Sequence, residues 1–198
     1  MEYFKQGLSL NEEVTNLICL RQEGSFWDFK KQWYTNKSDM LHDIICMSNN
    51  LSNRTAYIII GIDEQQDYSI VDVSCDPNRK NTQKLVDFLK DKKFAGGIRP
   101  VVHVESLHYS NGVIDTIVIE NSSNTPFYLT AQYEGVRASS IYTRVMDTNT
   151  PIDKSADINH VEQLWRKRFH LDDTPIEKFR YYLRSPDDWN TICLLYTS

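Results

Sequence analysis

Apolar residues recur along this 198-residue chain in two rhythms, and their succession predicts a mixed fold. In SLNEEVTNLICLR, Ser9 and Glu12 stand at capping-box spacing, and Val14, Leu17 and Ile18, with Arg21 behind them, follow a helical period. Gly24 and Ser25 break that helix. FWDFKKQW then alternates: Phe26, Asp28, Lys30 and Gln32 fall on one face and Trp27, Phe29, Lys31 and Trp33 on the other. That is a strand with one mostly polar side. KSDMLHDIICMSNNL predicts a second helix, capped by Ser38, with Leu41, Ile44, Ile45 and Leu51 as its apolar stripe. TAYIIIGIDE is nearly continuous in apolar residues from Ala56 to Ile62, which predicts a central strand buried on both faces. YSIVDVS reads as its hairpin partner.

NTQKLVDFLKDKKF predicts a third helix, starting near Thr82 and ending before Gly96-Gly97. VVHVESLHY and VIDTIVIE flank Asn111-Gly112, a strong hairpin signal. SNTPFYLT reads as a loop into a short strand, and ASSIYTRVMDTNTP as a strand ending in a turn. After Pro151 the pattern is helical. SADINHVEQLWRKRFHL places Ile158, Val161, Leu164, Trp165 and Phe169 on one side, and TPIEKFRYYLR has Thr174 as cap, Pro175 at the first helical position and Glu177 closing a capping box. The fold class expected is α+β, a mixed sheet with packed helices plus a short helical C-terminal part. Residues 1–154 form the expected main domain and 155–190 the helical extension. TICLLYTS, 191–198, follows no pattern and reads as a tail of doubtful origin, with the look of translated vector or assembly sequence.

Composition narrows the class. Hydrophobic residues are 40% and charged residues 25%, as in folded globular chains. The net charge of -5 gives no global attraction for polyanions, so nucleic-acid binding needs a local basic patch. Cys19, Cys46, Cys75 and Cys193 make no CxxC pair, which argues against a zinc knuckle and fits free thiols in a reducing compartment. MEYFKQGLSL has neither the basic start nor the apolar run of a signal peptide, and no stretch approaches a membrane span. A cytoplasmic protein is expected. The histidines show no ligand spacing.

Three acids stand out by position: Glu23 before the first strand, Asp28 on it and Asp63 at the end of the central strand. Carboxylates from neighbouring strands can converge on magnesium or manganese, which prefer hard oxygen ligands, and such a cation can activate water and stabilise a phosphoryl transition state. Lys30 shares the face of Asp28 and can neutralise a phosphate. From spacing alone a plainer arrangement stays open, in which Asp63 and Glu64 close a turn and Asp28 is solvated.

The order of motifs adds to this. Glu23 with DFK, then DMLHDIICMSNNL, then YIIIGIDE, followed by TPFYLT and IYTRVMDTNTPID, resembles the Schlafen AlbA-type domain, the second AlbA class, over about residues 10–165. In that family's nuclease members three acids cleave transfer or ribosomal RNA with a divalent metal. By motif they correspond to Glu23, Asp28 and Asp63, which the resemblance makes both catalytic and metal-binding, with magnesium or manganese as cofactor. The second acid is here the shorter Asp28, and NNLSNRT, Asn49 to Thr55, stands where the family has a Gly-Gly turn. Arg144 and Asn149 match family positions and either contact phosphate or make a hydrogen-bonded turn. Lys30, Lys31, Arg54 and Arg144 are the expected nucleic-acid contacts. WRKRFH and DKKF with Arg99 are further basic spots. No GxxxxGK[ST] loop is present, so no ATP site is expected.

The resemblance therefore implies a nucleic-acid-binding protein of bacterial regulatory or defence type, with RNA ahead of DNA, no membrane, and homo-oligomerisation left open. A metal-dependent endoribonuclease is the narrower expectation. The rival is a non-catalytic regulatory, interaction or nucleotide-sensing module of a larger protein.

Overall fold

The computed structural model describes residues 8–183, so the tail 191–198 and Cys193 lie outside the described residues. The fold is α+β. Its helices are α1 (Leu10–Cys19), α2 (Lys37–Ser48), α3 (Thr82–Lys90), α4 (Ile158–Arg168) and α5 (Pro175–Leu183). The strands are β1 (Trp27–Lys30), β2 (Ala56–Ile60), β3 (Ile62–Asp63), β4 (Ser69–Ile70), β5 (Val102–Tyr109), β6 (Gly112–Ile119), β7 (Arg144–Val145) and β8 (Thr148–Asn149).

The main sheet has the order β1-β2-β6-β5. Strand β2 runs parallel to β1 and antiparallel to β6, so it is paired on both sides and buried along its whole length, as its apolar run predicts. Alternation along β2 divides the interior in two. Ala56, Ile58 and Ile60 face a large core with α2, α3 and the chain around Phe127–Tyr142, whereas Tyr57 and Ile59 face a smaller one under α1. The hairpin β5–β6 forms as expected, with Tyr109 opposite Gly112, and β4 pairs with β3.

Local chemistry explains the element ends. Ser9 and Glu12 make the predicted capping box on α1. Helix α2 starts earlier than the sequence suggests: Asn36 is its cap, accepting a hydrogen bond from the Ser38 amide, so Ser38 lies inside the helix. The strand expected over Phe26–Trp33 is only the four residues of β1. Past Lys30 the chain turns away, and Trp33 enters the large core across the sheet from Trp27 and Phe29. Its indole N–H donates to buried Asp115 at 2.8 Å, and its amide donates to Asp76 at 2.8 Å, so hydrogen bonding overrides strand alternation.

SNTPFYLT forms no strand; among the described residues its one ladder contact is an isolated bridge between Phe94 and Leu129. The IYTRVMDTNT segment becomes the small hairpin β7–β8. In α4 the expected apolar side is only partly covered: Leu164 is buried, while Ile158 is 74% and Phe169 61% exposed. Phe169 instead stacks on Trp165. Thr174 and Glu177 cap α5 reciprocally, as predicted. No helix among the described residues is long and apolar enough to cross a membrane.

Candidate functional site

The site grows from the bend between α1 and β1. Arg21 takes a left-handed conformation and Gly24 turns the chain back, its amide donating to the Trp27 carbonyl at 3.2 Å. A Cβ at Gly24 would come within 2.2 Å of the Trp27 ring, so only glycine fits this turn. The bend lays Glu23 alongside edge strand β1, where its Oε1 accepts the Phe29 amide at 3.1 Å. Asp28 points from β1 toward α2 and is 2% exposed.

Arg144 on β7 is the hub, also 2% exposed. Its Nε donates to the Gly24 carbonyl at 2.7 Å and its Nη1 to Asn149 at 3.0 Å. Its Nη2 donates to Glu23 at 2.8 Å and to the Trp27 carbonyl at 3.2 Å, and lies 3.3 Å from Asp28. Lys30 pairs with Asp28 and reaches Asp43 on α2 at 3.5 Å. Asp43 in turn accepts from Asn149 at 2.8 Å and from the Tyr34 hydroxyl at 2.7 Å. Beside it, His42 lies 2.8 Å from the Thr150 carbonyl. One network thus ties the α1–β1 bend, β1, α2 and the β7–β8 hairpin together.

Three carboxyl groups share two cations in this network, and the balance shows in their protonation. Burial, followed by the hydrogen bond and charge of Asp28, pushes the Glu23 carboxyl up to about 7 against the downward pull of the Phe29 amide and Arg144. Burial also opposes ionisation of Asp43, but His42, Lys30 and Tyr34 outweigh it and hold its carboxyl below the usual range. Burial works against the charge on Lys30, yet Asp28 and Asp43 prevail and raise its pKa. A carboxyl half-protonated near neutrality is suited to proton transfer, and Glu23 retains 20% of its side-chain exposure.

Asp63 stands apart. Its Oδ2 pairs with the exposed Lys31 at 2.7 Å, and its Oδ1 accepts the Gln65 amide at 3.1 Å, capping the 3-10 turn Glu64–Gln66. The Lys31 hydrogen bond, against burial, keeps its carboxyl below the ordinary value. Of the three predicted metal ligands, the structure brings Glu23 and Asp28 together around Arg144 and leaves Asp63 with Lys31. Among the described residues no group of three His, Cys, Asp or Glu is arranged to hold a metal ion. The oxygens that magnesium or manganese would need are engaged by Arg144, Lys30, Lys31 and backbone amides. As arranged, this donor set does not fit a divalent cation.

The predicted basic contacts also separate. Arg144 is interior. Lys30 is partly exposed, and Lys31 is exposed at the C-terminal end of β1. Beside Lys31 lies a cleft of about 460 Å³ that also carries Asp72 and Asp76. Arg54 is at the other end of the β1–β2 pair, paired with Glu13 at 3.2 Å and stacked 3.9 Å over Phe26.

Two residues escaped sequence reasoning. Asp43 carried a signal: it interrupts the apolar run Leu41–Met47 of a helix buried nearly all round, where a charge needs a partner. Asn49 carried less. It is fully buried, accepts the Phe127 amide at 2.7 Å and donates to the carbonyls of Phe127 and Tyr142, both at 2.8 Å. It therefore holds the two segments that carry the site's far wall, in the stretch where a Gly-Gly turn was expected.

The family model described as "Schlafen, AlbA_2" matches residues 23–153. That span starts at Glu23 and contains the whole network. No curated protein matches the chain. A crystal structure of the DIP2311 protein from Corynebacterium diphtheriae is similar at 14% identity, with a TM-score of 0.48, covering 79% of this chain and 32% of that one. The chain thus spans about a third of the length of that solved protein.

Proposed function

The chain belongs to the Schlafen AlbA_2 family, and on that premise we propose that it is a nucleic-acid-binding domain acting on RNA in preference to DNA. The family domain points to a nucleic-acid-related role, and the observation that carries the finer reading is the Glu23–Asp28–Arg144–Lys30 network. It offers a partly exposed lysine and a carboxyl titrating at about 7 side by side at the edge of the sheet. Lys30 and Lys31 meet backbone phosphates at this edge. Arg144 positions Glu23 and Asp28 from within and does not itself reach the ligand. Arg54 contributes at the opposite end of β1–β2, about 20 Å away at strand rise, only to a ligand long enough to span both.

Cleavage is the second reading, and the Glu23 carboxyl favours it. A group poised near neutrality can take the proton of a ribose 2′-hydroxyl as that oxygen attacks phosphorus; the P–O5′ bond breaks, the 5′-oxygen leaves with a proton taken from water, and a 2′,3′-cyclic phosphate remains, a step that DNA does not offer. Asp63 supports the edge through Lys31.

The test is filter binding of transfer RNA and of matched DNA at low and high salt, followed by incubation with manganese or with chelator. RNA retained at low salt and released at high salt is the expected result. No affinity at low salt overturns the proposal in favour of a non-catalytic interaction module. Intact RNA under binding conditions, with and without manganese, removes cleavage and leaves binding standing. Cleavage lost in Glu23→Gln at unchanged affinity supports the role of Glu23; cleavage retained there overturns it.

A further inference from the structure

We infer that a second surface, the pocket where the chain leaves α3, binds the phosphodiester backbone of the nucleic acid; this rests on the nucleic-acid reading above. The pocket is about 370 Å³ and is lined by Lys90, Lys92, Lys93, Gly97, Arg99 and Thr130, together with Phe94. No carboxylate among the described residues lines it, in a chain whose net charge is -5.

Its floor is built from backbone. The Lys93 carbonyl accepts both the amide and the hydroxyl of Thr130, at 2.8 and 3.0 Å, and the Ala95 amide donates to the Tyr128 carbonyl at 2.9 Å. These bonds lace the exit of α3 to the Phe127–Leu129 segment. Gly97 has φ +69°, and a Cβ built on it meets nothing within 4 Å, so a ligand can approach the main chain there. Lys92 is held over the rings of Phe88 and Tyr133, 4.4 and 3.9 Å from their centroids, which fixes one positive charge at the wall.

Lys90, Lys93 and Arg99 have no side-chain hydrogen bond or ion pair among the described residues. The negative end of the helix accounts for Lys90 in the last turn of α3, but Lys93 and Arg99 lie beyond the reach of that dipole. Four cations gathered without a counter-charge repel one another. A ligand with repeating negative charges relieves that repulsion at several points, as a point anion does not. A phosphodiester chain has that spacing of charge, and its binding releases counterions.

The experiment measures the anisotropy of a fluorescein-labelled oligouridylate over a salt titration. It compares the full chain with Lys93→Glu, Arg99→Glu, the double variant, and Lys154→Glu as an exposed control of equal charge change. Unchanged thermal melting establishes that each variant is folded. Each single reversal is expected to weaken binding about tenfold at low salt and to reduce the slope of log affinity against log salt by about 0.7. The double variant loses about twice that slope, and Lys154→Glu stays close to wild type. If wild type binds and the pocket variants match Lys154→Glu, the pocket is overturned while the nucleic-acid reading stands. If wild type does not bind at low salt, both fall.

Discussion

Replacing Arg144 by Met removes the one cation among the described residues that touches both Glu23 and Asp28, and the structure says how the loss should depend on pH. Arg144 donates through Nε, Nη1 and Nη2 to two carbonyls, Asn149 and Glu23, and stands 3.3 Å from Asp28, with 2% exposure. Removing one partner of a buried ion pair costs about 3–5 kcal/mol, because the remaining charge is left in low dielectric. Asp28 retains Lys30, so the stranded charge is that of Glu23. A proton can replace the guanidinium on Glu23, whose carboxyl already titrates at about 7.

The penalty should therefore be close to the full 3–5 kcal/mol near pH 8 and smaller by about 1–2 kcal/mol near pH 5.5, where Glu23 takes up the proton. Urea unfolding at the two pH values, followed by the fluorescence of buried Trp27 and Trp33, measures both numbers. Arg144→Lys keeps the charge and loses the fork of donors, so it should fall between wild type and Met. A cost below about 1 kcal/mol at pH 8, or an equal cost at both pH values, would refute the account of a hub that neutralises Glu23.

Glu23→Gln should flatten the pH dependence of stability. The folded carboxyl titrates above its unfolded value of 4.5, so wild type has this contribution in full below pH 4.5 and loses it as pH rises through about 7; a loss of up to about 3 kcal/mol is expected. Identical pH profiles of melting for wild type and Gln would show that Glu23 is not the titrating group. Asn49→Ala leaves the Phe127 amide and two carbonyls without their partner and should cost about 2–4 kcal/mol, read as a lower urea midpoint at unchanged slope. Gly24→Ala drives a methyl into the Trp27 ring and should cost about 1–3 kcal/mol with a shift in tryptophan emission; a wild-type midpoint would contradict the tight turn.

Much of the fold was legible because its signals are local. The Ser9–Glu12 and Thr174–Glu177 boxes, the Asn111-Gly112 hairpin and the apolar run of β2 each depend on residues a few positions apart, and each forms where expected. The misplacements arose where a distant partner decided. Trp33 leaves its strand alternation for Asp115, 82 residues on, and SNTPFYLT gives up strand pairing while Asn49 holds Phe127. The motif order that marks the family was also in the sequence, and the family match begins at the very Glu23 singled out there.

What the sequence determined by itself, then, was the helices and the strands whose signals are local, which residues are candidates for chemistry, and the family to which the chain belongs. What only the tertiary structure decided was their company. Glu23 and Asp28 meet Arg144, some 120 residues later in the chain, and Asp43 joins through Lys30 and Asn149, while Asp63 turns to Lys31. Periodicity and capping are set by neighbours along the chain, whereas the partner of a buried charge is set by whichever opposite charge the fold brings within a few ångströms. The same physics raised Glu23 and left Lys93 and Arg99 without an ion-pair partner among the described residues.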